Sequence, residues 1–212
     1  MEMRWNDLDV TVAGGDESTT RMPFHDFGAR SGYRLGDRRL VDGTVMMLTD
    51  PFHGIHMGVT AENVARKYRV SRQEQDAFAV ESQRRAATEA AKAAFAEEIV
   101  PVEVGGRKPF TVTEDEHPKP GTTLETLAGL RPAFTKDGTV TAGNASGIND
   151  GAAAVVLATQ TAAAERGLTP LVSLEAVATG AMEPELMGYA PRPRAQCALR
   201  EERHDARRRR HH

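Results

Sequence analysis

Residues 143–158 read GNASGINDGAAAVVLA. Small and turn-forming residues run up to Gly151, and the apolar run AAAVVLA follows at 152–158. An unbroken apolar run of that length predicts a strand buried on both faces. TQTAAAERG, 159–167, then predicts a helix closed by Gly167. Residues 171–178 predict a further strand. Strand, helix and strand within about 27 residues form a βαβ unit. The expected class is therefore α/β, with helices layered on a sheet. The small residues ahead of the strand admit two readings. They let backbone approach a ligand closely, or Asn149-Asp150-Gly151 simply turns the chain into a core strand. The residues by themselves favour the turn.

Upstream, residues 9–15 (DVTVAGG) predict a short buried strand ending in a glycine turn. Residues 16–58 mix Gly, Pro, His and Met without a period and predict loops with short helical turns. Thr60 is a candidate helix N-cap for AENVARKY. Ser71 and Glu74 form an S-x-x-E capping box, and the Ala-, Glu-, Gln- and Arg-rich stretch behind it predicts a helix over 72–95. Residues 99–104 predict a strand that Pro101 confines to an edge or bulge. A hairpin strand is expected at 110–113. A short helix is expected at 124–130, ending at Gly129 ahead of Pro132.

The composition of the 212 residues, 40% hydrophobic and 27% charged with a net charge of −3, is that of an ordinary globular chain. Nothing in it points to nucleic acid or a membrane surface. No apolar run reaches the roughly 18 residues of a membrane span, and the first 15 residues lack the pattern of a signal peptide. With Cys197 as the one cysteine, no internal disulfide forms. A cytoplasmic location is the expectation. From Arg192 onward arginine dominates, ending RRRRHH. Three origins compete for this tail: a basic nucleic-acid arm, an appended tag, or out-of-frame translation. The last is favoured, with residues 189–212 disordered.

Several chemical readings lose to plainer ones. Gly14 and Gly15 end a strand, but no third glycine follows at dinucleotide spacing. His53 and His56 lack a third ligand for a metal. Glu114, Asp115 and Glu116 read as a solvated acidic face. Cys197 sits in the arginine-rich tail, where no packed pocket would activate a thiol.

Two long strings carry a resemblance: HMGVTAENVARKYRVSRQEQDAFAVESQ at 56–83 and LRPAFTKDGTVTAGNASGINDGAAAVVLA at 130–158. They resemble the thiolases, and within them the short-chain acetyl-CoA acetyltransferase branch. The likeness extends through VAGGDES and SGYRLGDRRLVDG upstream and RGLTPLVSLEAVATGAMEPELMG downstream, covering roughly residues 8–188. It implies a partial thiolase fold: sheet and helix layers of the first of two similar α/β halves, with an inserted loop domain. On that basis residues 8–15 are a core strand, 16–142 the loop domain that holds coenzyme A, and 143–188 the βαβ return to the core. The resemblance places Leu48, His56 and Met57 on the acyl or pantetheine path, joined by Phe134, Ala142 and Ser146. Ser146 is implied to hydrogen-bond the pantetheine amide region. Lys119 and Thr126 stand at adenine- and pantetheine-side positions. The implied ligand is an acyl-CoA substrate, with no separate cofactor and no metal, in a homo-oligomeric family.

Thiolase chemistry uses a nucleophilic cysteine, an activating histidine and a second cysteine as acid and base. The resemblance puts these in a Cys-Gly-Ser/Gly-Ser/Gly motif ahead of the VAGG strand, and in Asn-Glu-Ala-Phe, Gly-His-Pro and Cys-x-Gly-Gly motifs after residue 188. None occurs in these 212 residues. The expectation is a truncated, frame-disrupted thiolase with no catalytic residue of its own, inactive alone. The alternatives are a non-catalytic coenzyme A-binding fragment and an interaction partner of an intact thiolase.

Overall fold

The structure, a computed structural model, describes residues 8–192. Its regular elements in chain order are β1 (Val10–Glu17), β2 (Phe24–His25), β3 (Val41–Asp42), α1 (Gly43–Met47), α2 (Met57–Tyr68) and α3 (Arg72–Ala86). They continue with α4 (Glu89–Glu98), β4 (Val102–Val104), β5 (Phe110–Val112), α5 (Leu124–Ala128), β6 (Gly151–Ala158) and α6 (Gln160–Glu165). The described residues divide into two compact units, one of 8–56 with 149–192 and one of Met57–Ile148. From residue 193 the arginine-rich tail, Cys197 included, lies outside the described residues. Among the described residues no helix is long and apolar enough to cross a membrane.

The first unit is built on an antiparallel ribbon. β1 pairs with β6 from Val10↔Ala158 to Glu17↔Gly151. Gly14 is required by this pairing, because a Cβ there would meet the Ala153 carbonyl oxygen at 2.7 Å. Two expectations are corrected here. β6 is not a strand buried on both faces: Val156 is 65% exposed, and most of the strand is exposed with it. Residues 171–178 form no strand, and Leu171 is 96% exposed. The strand–helix–strand pattern therefore does not close into a βαβ unit. An apolar run records what its faces would bury, but the partner strand is supplied from elsewhere in the chain. Here that partner is β1, antiparallel and more than a hundred residues away in sequence. α6 follows as read, with Thr159 Oγ1 accepting from the Ala162 N–H at 3.2 Å and Gly167 at φ +63° beyond its end.

Asp150, just before β6, ties the ribbon to the turn after β1. Its carboxylate accepts from the Thr20 N–H at 2.9 Å, the Thr19 hydroxyl at 3.2 Å and the Ser18 hydroxyl at 3.4 Å. The Thr20 N–H leads in holding the carboxyl below its ordinary 3.8, against a smaller opposing effect of burial. A depressed carboxyl favours the folded state above its unfolded value, and this contribution is lost as pH falls through the folded value. The thermal midpoint of Asp150→Asn should therefore lie below that of the wild type at pH 7, and the two should converge below pH 3.8. Equal midpoints at pH 7 would refute this.

In the second unit the helices start and stop where their caps dictate. At α3 the box forms as read: the Ser71 N–H donates to Glu74 Oε2 at 2.7 Å, and the Glu74 N–H donates to Ser71 Oγ at 3.2 Å. Thr60 is not a cap. α2 begins at Met57, and the buried Thr60 hydroxyl donates back to the Met57 carbonyl at 2.7 Å. The helix expected over 72–95 is two helices, because Thr88 caps α4 by accepting from the Ala91 N–H at 3.3 Å. β4 starts after Pro101 and pairs with β5 across a loop in which Gly106 takes φ +127°. α5 carries its own capping box, formed by Thr123 and Thr126.

Candidate functional site

In the first unit, α1 is capped by Asp42, whose Oδ1 accepts from the Thr44 N–H at 2.8 Å, and it ends at Leu48. The chain then folds back so that Thr49 forms a β-bridge with His56. Gly54 (φ +67°) makes the bend, and its N–H donates to the Asp50 carbonyl at 2.9 Å. Asp50 holds the loop from inside. Its Oδ2 accepts from the His53 N–H at 2.7 Å and lies 3.0 Å from the His53 ring Nδ1. Burial opposes ionisation of Asp50, but the hydrogen bonds from His53 outweigh it and hold the carboxyl below its ordinary value. The bridge thus brings the half-buried Leu48 and His56 to neighbouring positions.

In the second unit, Met57 opens α2 and Gly58 follows it, buried. The ring of Phe134 lies on Gly58 so closely that a Cβ there would overlap the ring. Phe134 is still 37% exposed. It is therefore fixed on one side and open on the other, as a ligand-facing aromatic must be.

The segment 138–146 is held by three side chains from α2 and α3. Glu62, 5% exposed, accepts from the Thr139 N–H through both carboxylate oxygens at 2.9 Å, and from the Val140 N–H at 2.8 Å. It also accepts from the Thr139 hydroxyl at 3.0 Å. Gln75 donates to the Thr139 hydroxyl at 2.9 Å. Asp76, 4% exposed, accepts from Asn144 Nδ2 at 2.9 Å. Asn144 in turn accepts from the Thr141 N–H at 2.7 Å and donates to the Thr139 carbonyl at 3.0 Å. Gly143 packs against the side chains of Leu127 and Leu130, leaving no room for a Cβ. Ala142 and Ser146 are exposed on this clamped turn, and among the described residues the Ser146 hydroxyl has no hydrogen-bond partner. A rigid turn showing only a methyl and a free hydroxyl suits a slender polar chain lying against backbone.

α5 is fixed to the same support. Arg72 donates through Nη2 to the Leu127 carbonyl at 2.5 Å and the Leu130 carbonyl at 3.2 Å. Thr126 is exposed on α5, its hydroxyl already donating to the Thr123 carbonyl at 2.8 Å. Lys119 is exposed, with its N–H on Gln83 Oε1 at 2.8 Å. The structure thus brings Thr126, Ala142 and Ser146 onto one hydrogen-bonded frame, and Met57 and Phe134 to one point on α2. A separate open cleft of ≈ 390 Å³, lined by Glu62, Arg66, Arg69 and Asp137 among others, contains none of the eight expected residues. Of its charged walls, Arg66, Arg69 and Asp137 are exposed, and the buried Glu62 is already used by the 139–140 backbone. Sequence reading missed Glu62, Arg72, Asp76 and Asn144. The available signal was the i, i+4 pairing of Arg72 and Asp76, which on a polar helix resembles a surface ion pair.

The family model described as thiolase, N-terminal domain, matches residues 2–161. The acetyl-CoA acetyltransferase of Escherichia coli (strain K12) is 52% identical over 194 residues, covering 89% of this chain and 48% of that protein. That of Rhizobium meliloti is 49% identical over 195 residues, covering 91% and 49%. The crystal structure of the Bacillus anthracis acetyl-CoA acetyltransferase superposes with a TM-score of 0.87 at 39% identity, covering 95% of this chain and 52% of that one. The human mitochondrial 3-ketoacyl-CoA thiolase in complex with CoA gives 0.84 at 40% identity, covering 95% and 50%. The chain spans about half the length of the relatives it matches. The fold implied by the resemblance, a partial thiolase domain of mixed helix and strand, stands on these likenesses. This chain belongs to the thiolase family.

Proposed function

We propose that the chain is the coenzyme A-holding part of an acetyl-CoA acetyltransferase. On this reading residues 16–142 are the loop domain of the fold, and 8–15 with 143–188 belong to its first core half. The whole protein is then a homo-oligomeric cytoplasmic acyltransferase. It joins two acetyl-CoA molecules into acetoacetyl-CoA with release of free coenzyme A, or runs that reaction backwards on a 3-ketoacyl-CoA. An acyl-CoA is substrate rather than cofactor. Within the 57–148 unit, Met57, Phe134, Ala142 and Ser146 line the pantetheine path, with Thr126 on its flank and Lys119 towards the adenine. The observation that carries the reading is the clamped turn at Ala142–Ser146, small-walled and with one free hydroxyl. It is supported by the likeness to a thiolase structure in complex with CoA.

Acyl transfer needs a thiolate to accept the acyl group and a base to generate the attacking carbanion. The one cysteine, Cys197, stands in neither of the cysteine motifs that the thiolase resemblance implies, and no Gly-His-Pro occurs among the 212 residues. A polypeptide of these 212 residues should therefore bind coenzyme A and form acetoacetyl-CoA from acetyl-CoA no faster than buffer. Calorimetry with coenzyme A tests the binding, and Ser146→Ala should weaken it about fivefold, the worth of one hydrogen bond. Absence of wild-type binding, or a condensation rate that disappears in Cys197→Ser, would overturn the reading.

A further inference from the structure

Among the described residues, Asp76 is the one group hydrogen-bonded to both Arg72 and Asn144, and so joins α5 to the 139–144 segment. Its Oδ2 accepts from Arg72 Nε at 2.7 Å, and the same guanidinium reaches over the end of α5 to the Leu127 and Leu130 carbonyls. Its Oδ1 accepts from Asn144 Nδ2, and Asn144 holds the Thr141 N–H. One carboxylate therefore uses one oxygen for each segment. Three stretches of chain, 72–76, 127–130 and 139–144, meet in this relay. We infer that Asp76 is a positioning residue: through Arg72 and Asn144 it sets the spacing between Thr126 and the Ala142–Ser146 turn so that both meet one pantetheine arm.

The inference rests on the coenzyme A reading above, and its support is geometric. Leu127 and Leu130 pack against Gly143, but apolar contact alone resists compression and tolerates sliding. The relay opposes sliding, because each link is directional and both ends grip backbone. A buried ion pair is a poor way to gain stability, and in some proteins it serves to specify one arrangement. Asp76 has that character, at 4% exposure with a charged partner on one oxygen and an amide on the other.

Asp76→Asn keeps the size of the side chain but leaves one acceptor oxygen and turns an NH₂ towards either Arg72 or Asn144, both donors. One link must break. The test is calorimetry with two probes, coenzyme A and adenosine 3′-phosphate 5′-diphosphate, which lacks the pantetheine. Asp76→Asn should weaken coenzyme A about tenfold and leave the nucleotide within about twofold, because only the pantetheine spans both segments. Hydrogen exchange should quicken at the Thr141 and Gly143 amides. Glu81→Gln, which breaks only the exposed pairs to Arg84 and Arg85 on the same helix, should change neither affinity. Arg72→Lys, which keeps the charge but not the fork, carries the same test if Asp76→Asn does not fold. Equal weakening of both probes would show a merely structural role and overturn the inference. So would unchanged coenzyme A binding. A wild type that takes up no coenzyme A would defeat the ligand reading and, with it, the positioning role.

Discussion

Glu62→Ala should remove about 3 kcal/mol from the stability of the 57–148 unit, about 2 kcal/mol for the buried Val140 N–H and about 1 kcal/mol for the half-buried Thr139 N–H, both left without their acceptor. The donors are the Thr139 and Val140 N–H groups, which point at a carboxylate rather than into a helix or sheet ladder. The Thr139 hydroxyl loses its acceptor as well. Water cannot simply take the place of the side chain at the Val140 N–H, because Val140 and Thr141 are buried. A loss of this size is a large part of the roughly 5–15 kcal/mol by which a domain is stable. Glu62→Gln separates charge from shape. Its one remaining oxygen still accepts from Val140, while its NH₂ opposes the Thr139 N–H, so the larger part of the loss should return. Urea unfolding followed by far-ultraviolet circular dichroism measures both variants. A Glu62→Ala change below about 1 kcal/mol would show that the 138–141 segment is held by something else.

The elements legible in the sequence are those written in a few neighbouring residues. Ser71 and Glu74 state a helix start three residues apart, and the box forms as read. Gly129 and Pro132 bound α5, and Gly167 ends the turn after α6. Thr88 was available by the same rule, but in a stretch otherwise made of helix formers the summed propensity conceals a single break. Thr60 failed for the converse reason. A threonine can cap a helix or, one turn in, donate back to a carbonyl, and residue type does not distinguish the two. The strands were harder. AAAVVLA reads as a strand and is one, but its partner, its antiparallel sense and its exposure come from residues 10–17. Residues 171–178 have equally good strand residues and no ladder, since a strand exists only with its partner.

The candidate site shows the same division. The eight expected residues came from likeness to a family, which implies positions for ligand contact and nothing about their support. What supports those residues is a set of contacts between segments far apart in sequence. Glu62 reaches Thr139 and Val140, Arg72 reaches Leu127 and Leu130, and Asp76 reaches Asn144. On their own helices these are ordinary charged residues of the kind that face water. Nothing within one helical turn of Glu62 distinguishes it from Glu81, which is half-exposed. Glu81 is paired with Arg84 and Arg85, and hydrogen bonds from their guanidiniums lower its carboxyl to about 2. Burial, a property of the assembled chain, separates the supporting carboxylate from the surface one.

Gly58→Val should cost about 3 kcal/mol in the same unit, at the upper end of overpacking penalties. Helix propensity alone predicts the opposite sign, because glycine inside a helix is about 1 kcal/mol worse than alanine and a few tenths worse than valine. The steric effect wins because of where the contact falls. The atoms that a Cβ at Gly58 would overlap include Phe134 Cγ, the ring atom nearest the backbone, as well as both Cδ atoms. A clash at the far end of a side chain is relieved by a small swing, whereas a clash at Cγ requires the whole ring to leave. Valine adds two γ-carbons to that conflict. The ring then loses its packing on α2, and the wall it offers a ligand beside Met57 moves with it. Coenzyme A affinity should fall together with stability. The double variant Gly58→Val/Phe134→Ala distinguishes this cause from a general intolerance of α2. With the ring removed the valine has space, so the double variant should be less destabilised than the two single losses added together, by about 1–2 kcal/mol. Strict additivity would mean that Gly58 is required for some reason other than Phe134. Gly121→Ala provides the reference, since a methyl there meets nothing within 4 Å and should leave the unfolding midpoint unchanged.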